Sequence, residues 1–367
     1  MNEAHYSQLT INGETFNKES LTRLVHENLR QHHLSDWEEE FFGFLQSWFN
    51  DSGWMKVGTS GSTGKPKMLS IPKTSMVESA IRTGRFLNLR SGQSALLALP
   101  VRFVAGQMMV VRAIVLGLDL YPVLPSSNPL KDLRRNFDFA ALTPMQVINT
   151  LASENGSEKI KAIHKLIIGG GALSKELLAE LSTFDNQIWA TYGMTETLTH
   201  VAMQKLTKPD PTAYFEALPG IRFSTDTRGC LVIRDTGLQH EALITNDLVN
   251  LMSDTSFEFI GRFDHVINTG GIKIFPEKIE KMLAQDLINK RFIITGVPDR
   301  LLGNKLVLVI EGEEDENINL RNLKSRSLLN RYEIPKKVIF VKCFPETENG
   351  KIIRREIMDL IIDQESE

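Results

Sequence analysis

Short apolar runs alternate with helix-period segments between about residues 95 and 191, and that alternation limits the fold more than any other feature of the chain. Residues 95–99 predict a strand. Residues 106–116 predict a helix, apolar nearly all round and therefore buried. A strand over 118–124 follows. Residues 139–142 and 165–168 read as two more strands, with a helix from Pro144 to about Ala152 between them. Ser174 caps a helix that runs to Leu181, with Glu176 in its first turn to favour the dipole. Residues 187–191 give one more strand. Strands separated by helices imply βαβ units and so an α/β sheet. Upstream, Trp37, Phe41, Phe42, Leu45, Trp48 and Phe49 fall at the spacing of one helical face, which reads as core.

The pattern changes near residue 260. Pro276 opens a helix over 277–287, strands follow at 291–297 and 305–310, and a helix is expected over 320–329. A strand at 337–342 and a helix over 352–362 complete the chain. About 105 residues with their own strands and helices suffice for a small α+β domain. The boundary falls at 261–264, giving 1–261 as the large α/β domain and 262–367 as the small one.

Charge and cysteine usage narrow the class. A net charge of −3 offers no basic excess for nucleic acid. Cys230 and Cys343 form no C-x-x-C and no metal-ligand spacing, which suits a reduced, cytoplasmic setting. The polar N-terminus has no apolar core of a signal peptide. The longest apolar run, 108–124, is interrupted by Arg112 and Asp119, which argues against a membrane span. A homodimer stays open.

Residues 58–67 read G-T-S-G-S-T-G-K-P-K. Glycines let backbone amides approach a ligand, and successive N–H groups make a nest for phosphate oxygens. A Walker loop is excluded, because Gly64-Lys65 is followed by Pro66 where the Mg²⁺-ligating hydroxyl belongs. A Gly/Ser linker is the ordinary alternative.

Five further segments carry polar or glycine content that a core does not explain. Gly169, Gly170, Gly171 and Ala172 follow a strand and precede a helix, where open α/β sheets bind ligands. Tyr192-Gly193-Met194-Thr195-Glu196-Thr197 offers a ring to stack on a base and a carboxylate for a hard cation. Asp247 could accept from both hydroxyls of a ribose. Arg262, Asp264, Gly270 and Gly271 sit at the domain boundary and suit a hinge or a plain hairpin turn. Asn349-Gly350 would present Lys351 at a turn before the last helix. Each alone reads equally well as ordinary loop or surface.

Taken together and in order, these segments resemble the adenylate-forming superfamily of acyl-CoA synthetases, luciferases and peptide-synthetase adenylation domains, from Gly58 to Arg354. The resemblance implies that Thr59, Ser60, Gly61, Ser62, Thr63, Gly64, Lys65 and Lys67 wrap the ATP phosphates. It implies that Gly169, Gly170, Gly171, Ala172, Tyr192, Gly193 and Thr195 hold adenine, with Asp247 and its helper Arg262 on the ribose. Glu196 becomes the Mg²⁺ carboxylate, Lys351 the adenylation lysine and Asp264 the hinge. Gly270, Gly271 and Lys273 belong to the loop of the thioester step. The implied reaction joins a small carboxylic acid to coenzyme A through an acyl-adenylate, with no protein nucleophile.

Two departures stand out. Only 57 residues precede the phosphate loop, fewer than the family usually has, and Phe103 falls where an aromatic–His pair is common. The segment Y-G-M-T-E-T-L-T-H-V-A is similar to o-succinylbenzoate–CoA ligases. An acid with a second carboxylate needs cationic or hydroxyl groups on an apolar wall, and Arg102, Arg112, Thr199 and His200 are the candidates. Ligases for other aryl or short acyl acids, and carrier-loading enzymes, fit the nucleotide motifs equally well.

Overall fold

The structure is a computed structural model that describes residues 8–30, 34–58, 68–235, 242–288, 290–315, 318, 320, 329–346 and 352–366. Contacts divide the chain into two units. The first holds Met1–Leu173, Leu177–Ile221 and Asp235–Gln239; the second holds Ser174–Glu176, Arg222–Arg234 and His240–Glu367.

The first unit opens with a hairpin, β1 (Gln8–Ile11) and β2 (Glu14–Asn17), turned by Asn12 and Gly13 with both φ angles positive. Helices α1 (Lys18–Leu29) and α2 (Asp36–Phe49) follow. A Ser35–Glu38 capping box starts α2, and Phe41, Phe44, Leu45 and Trp48 form its buried face. Strands β3 (Trp54–Gly58) and β4 (Met68–Pro72) pair antiparallel, so Gly58 and Met68 sit opposite each other at the two ends of the glycine-rich loop. Helix α3 (Lys73–Leu87) comes next.

The α/β expectation holds in the body of this unit. Its elements are β5 (Ser94–Leu97), α4 (Val104–Leu116), β6 (Asp119–Pro122), β7 (Phe137–Leu142), α5 (Pro144–Leu151), α6 (Gly156–Lys161), β8 (Ile163–Ile168), α7 (Lys175–Leu181) and β9 (Gln187–Gly193). Strands β10 (His200–Lys205) and β11 (Phe215–Ala217) then add to the edge. The order is β11-β10-β9-β8-β7-β5-β6-β1-β2. From β9 to β1 the pairings are parallel; β10, β11 and β2 join antiparallel. Parallel strands carry helices on their faces and read as near-continuous apolar runs, and Leu96, Ala140, Leu166, Ile168 and Ile188 are all buried here. The strand order reverses between β5 and β7, and the C-terminal ends of strands at such a reversal are where open sheets take ligands.

In the second unit β12 (Ile221–Thr225), β13 (Cys230–Asp235), β14 (Leu243–Ser253) and β15 (Ser256–Arg262) lie side by side, with β14 and β15 an antiparallel pair. A small sheet follows, ordered β17-β16-β19-β18 with β20 parallel to β19. Its strands are β16 (Ile267–Thr269), β17 (Ile272–Ile274), β18 (Phe292–Asp299), β19 (Gly303–Glu311) and β20 (Lys337–Val341). Side chains alternate across it. Ile294, Leu306, Leu308 and Ile310 meet Ile279 and Leu283 of α8 (Pro276–Leu283). On the other face Ile293, Val307, Val309 and Ile339 meet Ile357 and Ile361 of α9 (Arg354–Ser366). This is the small α+β domain expected from the sequence. The helix expected over 320–329 falls almost wholly outside the described residues.

Candidate active site

Two loops leave adjacent parallel strands of the first unit at the same edge. Gly169 follows β8 and donates its N–H to Leu142 O at 3.1 Å; Gly170 has φ +85°, and Gly170–Ala172 are exposed. Tyr192 ends β9, its ring centroid 5.7 Å from that of Phe215. The turn after it is tightly built. The Thr197 hydroxyl accepts from Met194 N–H at 3.0 Å and donates to Thr199 O at 2.7 Å. A Cβ on Gly193 would lie 2.4 Å from Thr199 O, so only glycine fits there. Leu198 is buried at φ +67°, a left-handed conformation that costs a branched side chain about 1 kcal/mol. Thr195 and Glu196 lie on the short 3₁₀ turn of this segment, and the Glu196 carboxylate is exposed.

That strained turn delivers Thr199 and His200 to the buried face of the helices. The Arg112 guanidinium on α4 is 2 % exposed and donates to Thr199 Oγ1 at 3.1 Å. Among the described residues it also meets Met109 Sδ at 3.8 Å, and its Nε has no hydrogen-bond partner. Burial pushes Arg112 down to about 9, which leaves it charged at neutral pH. No acidic side chain among the described residues pairs with it. His200 Nδ1 lies 3.2 Å from Thr199 Oγ1, and Nε2 lies 3.0 Å from Thr83 Oγ1 on α3. Burial, and then the charge of Arg112, hold His200 well below its ordinary value. Three of the four acid-site candidates therefore meet. Arg102 is elsewhere, its exposed guanidinium 3.2 Å from Glu40 and over the Phe103 ring at 4.9 Å. Thr83 is a member that sequence reasoning missed, since an isolated helical threonine carries no motif.

In the second unit Asp247 on β14 stands in register with Arg262 on β15. Arg262 Nη1 is 3.2 Å from Asp247 Oδ1, an ion-pair contact without hydrogen-bond alignment. Its other edge forks onto Asp264, Nε to Oδ1 and Nη2 to Oδ2, both at 2.9 Å. Burial opposes ionisation of Asp264, but the Arg262 hydrogen bond and charge outweigh it and hold the carboxyl below its ordinary range. Arg228, not anticipated, reaches Thr245 O and Asn246 Oδ1 and lies 5.0 Å over the Phe263 ring, bracing the same segment. His265 Nδ1 meets Glu277 Oε1 at 2.5 Å. Gly270 and Gly271 form the two-residue turn of the β16–β17 hairpin, with φ +55° and +80°, and Lys273 is exposed on β17. Residues 59–67 and Lys351, expected at the phosphates and at the reacting phosphorus, lie outside the described residues.

The AMP-binding enzyme family matches residues 58–223. An acyl-CoA synthetase (AMP-forming)/AMP-acid ligase II-like protein from Dyadobacter fermentans is 32% identical, and its crystal structure superimposes with a TM-score of 0.62 over 94% of this chain and 99% of that one. The chain belongs to the adenylate-forming, AMP-binding family. The chemistry of that family is ATP-dependent acyl-adenylate formation and acid–thiol ligation. A 2-succinylbenzoate–CoA ligase of Listeria monocytogenes is 24% identical over 326 residues, covering 82% of this chain and 68% of that one. The o-succinylbenzoate coenzyme A synthetase of Bacillus subtilis in complex with ATP and magnesium ion shares the adenylate-forming fold at 19% identity. Its TM-score is 0.67, over 82% of this chain and 69% of that one.

Proposed function

We propose that this chain is an ATP-dependent acid–CoA ligase whose acid is a dianionic aryl carboxylate of the o-succinylbenzoate type. The carrying observation is Arg112, a buried guanidinium held by a neutral hydroxyl, with no acidic partner among the described residues. A buried cation without an anion is costly, and a ligand carboxylate placed against it recovers that cost. The relatives named for 2-succinylbenzoate support the same acid.

The first step has the substrate carboxylate oxygen attack the α-phosphorus of ATP. The bond to the bridging oxygen breaks and pyrophosphate leaves. Residues 59–67 would hold the departing phosphates, and Lys351 would stabilise charge on the α-phosphoryl oxygens. Gly169, Gly170, Gly171, Ala172, Tyr192, Gly193 and Thr195 are assigned to adenine, and Asp247 with Arg262 to the ribose. Mg²⁺ is held chiefly by nucleotide phosphates and water with one or two protein carboxylates, so a single exposed Glu196 fits it, and it supplies charge neutralisation. In the second step the thiol sulfur of coenzyme A attacks the acyl carbon, the carboxyl–phosphate bond breaks, AMP leaves and the thiol proton passes to solvent. A swing about Asp264, carrying Gly270, Gly271 and Lys273 into use, separates the steps and makes 262–367 the mobile domain. Coenzyme A and the free acid are the small-molecule partners.

The test is pyrophosphate release with ATP, Mg²⁺ and a panel containing o-succinylbenzoate, benzoate and short fatty acids, followed by thioester detection on adding coenzyme A. Release with o-succinylbenzoate alone supports the reading. Equal release with a monocarboxylate would sink the substrate assignment, and no release with any acid would sink the ligase.

A further inference from the structure

The polar groups that lead away from Arg112 can be given one continuous order of donors. Thr83 Oγ1 lies 3.1 Å from Ser79 O, a carbonyl that can only accept. Assigning the single hydroxyl proton of Thr83 to that carbonyl makes its oxygen the acceptor at the 3.0 Å contact with His200 Nε2. Nε2 therefore carries the imidazole proton. The buried, neutral ring leaves Nδ1 bare, and the Thr199 hydroxyl donates to it across 3.2 Å. Thr199 Oγ1 is then free to accept from Arg112 Nη2 at 3.1 Å. Every donor in the chain points the same way, from Arg112 through Thr199, His200 and Thr83 to the Ser79 carbonyl.

The arrangement has no packing purpose that apolar residues would not serve. Thr83 is fully buried, His200 is 8 % exposed, and α3 packs on α4. Buried polar groups need all their hydrogen bonds to be tolerated, and this chain satisfies each in turn except at its head. The head is Arg112, whose Nε has no partner.

We propose that Thr83 and His200 are positioning residues for substrate recognition: the relay from Ser79 to Thr199 fixes one amino group of Arg112 and so aims the guanidinium at the second carboxylate of the acid. The proposal rests on the reading that the acid has such a carboxylate. Neither residue touches the substrate; both act through Thr199.

Two measurements test it. The first compares kcat/KM for o-succinylbenzoate with that for its monoamide, which keeps only the activated carboxylate, in the wild type, Thr83→Val and Thr83→Ser. Loss of one hydrogen bond from the relay lowers the preference for the diacid about fivefold to tenfold in Thr83→Val, through KM and not kcat, and Thr83→Ser restores it. A wild type without preference overturns the second-carboxylate reading. A wild type with preference that Thr83→Val keeps in full overturns the positioning role alone. The second measurement is independent of activity: imidazole ¹⁵N chemical shifts of histidine-labelled protein, assigned with His200→Asn. Nε2 protonated and Nδ1 bare between pH 6 and 8 is the expected result, and a protonated Nδ1 overturns the relay.

Discussion

Replacing Arg112 by methionine should make the protein more stable and a worse enzyme. Burial lowers the guanidinium from its ordinary range to about 9, which corresponds to about 5 kcal/mol of unfavourable charge burial. The charged hydrogen bond to Thr199 offsets about 2–3 kcal/mol of it. Methionine fills a similar volume and adapts to the apolar surroundings, so a net gain of about 2 kcal/mol follows. The sign of the pH dependence is fixed too. In the wild type the folded guanidinium has the lower pKa, so above about 9 the unfolded chain binds more protons. The wild-type penalty is complete below about 9 and shrinks as pH rises above it, so the two proteins converge. Tryptophan fluorescence during urea unfolding reads this cleanly, because Trp37, Trp48, Trp54 and Trp189 all lie in the first unit with Arg112. In parallel the KM for o-succinylbenzoate should rise by about two orders of magnitude, the loss of a desolvated charge pair worth about 3 kcal/mol. A variant less stable than the wild type by more than about 1 kcal/mol would refute the reasoning, since it would require an anion already seated on Arg112.

Lys351→Ala should lose most acyl-adenylate formation and keep thioester formation from a pre-made adenylate; full pyrophosphate release in that variant refutes its assignment. Gly193→Ala should destabilise the first unit by about 2 kcal/mol or more, because its Cβ meets Thr199 O at 2.4 Å, and should raise the acid KM as Thr199 shifts; an unchanged urea midpoint would count against the tight turn. Burial would raise the Glu277 carboxyl, but the His265 hydrogen bond and the Arg354 charge hold it below its ordinary 4.5. Its contribution to stability is therefore full above about 4.5 and is lost as pH falls through the lower folded value, so Glu277→Gln should flatten the acid limb of a stability–pH curve. An acid limb identical to the wild type would exclude that role.

The α/β body of the fold was legible because each buried parallel strand is a local apolar run that ends in a glycine or a turn. The strand expected at 165–168 is β8, and the helix expected at 106–116 is α4 with two residues added at its start. Antiparallel additions were less legible. Strand β10 begins at His200, directly after a segment read only for its polar chemistry, and β1 and β2 are four residues each. Asn12-Gly13 was the available signal for that hairpin, a turn pair that favours positive φ at both positions. The N-terminal 57 residues contribute this hairpin, α1, α2 and β3.

The site divides along the same physical line. Most residues proposed for the nucleotide sit in or beside short glycine-rich segments at strand ends, which sequence displays. The groups around Arg112 are different, because they come from α3, α4 and the residues at the start of β10, which only the folded sheet brings together. Arg102 and Arg112 look alike in sequence, ten residues apart in one segment. One is on the surface beside Glu40 and the other is enclosed. The difference is secondary structure: Arg112 lies within α4, apolar nearly all round, whereas Arg102 precedes the helix in the turn before Phe103. A charge inside an apolar helix is expensive wherever the helix packs, so its presence there demands either an internal acid or a ligand that carries one. The described residues provide no acid, and the polar relay through Thr199, His200 and Thr83 provides only dipoles. Dipoles hold a guanidinium in place without neutralising it, which is the physical ground for proposing that a substrate carboxylate meets it.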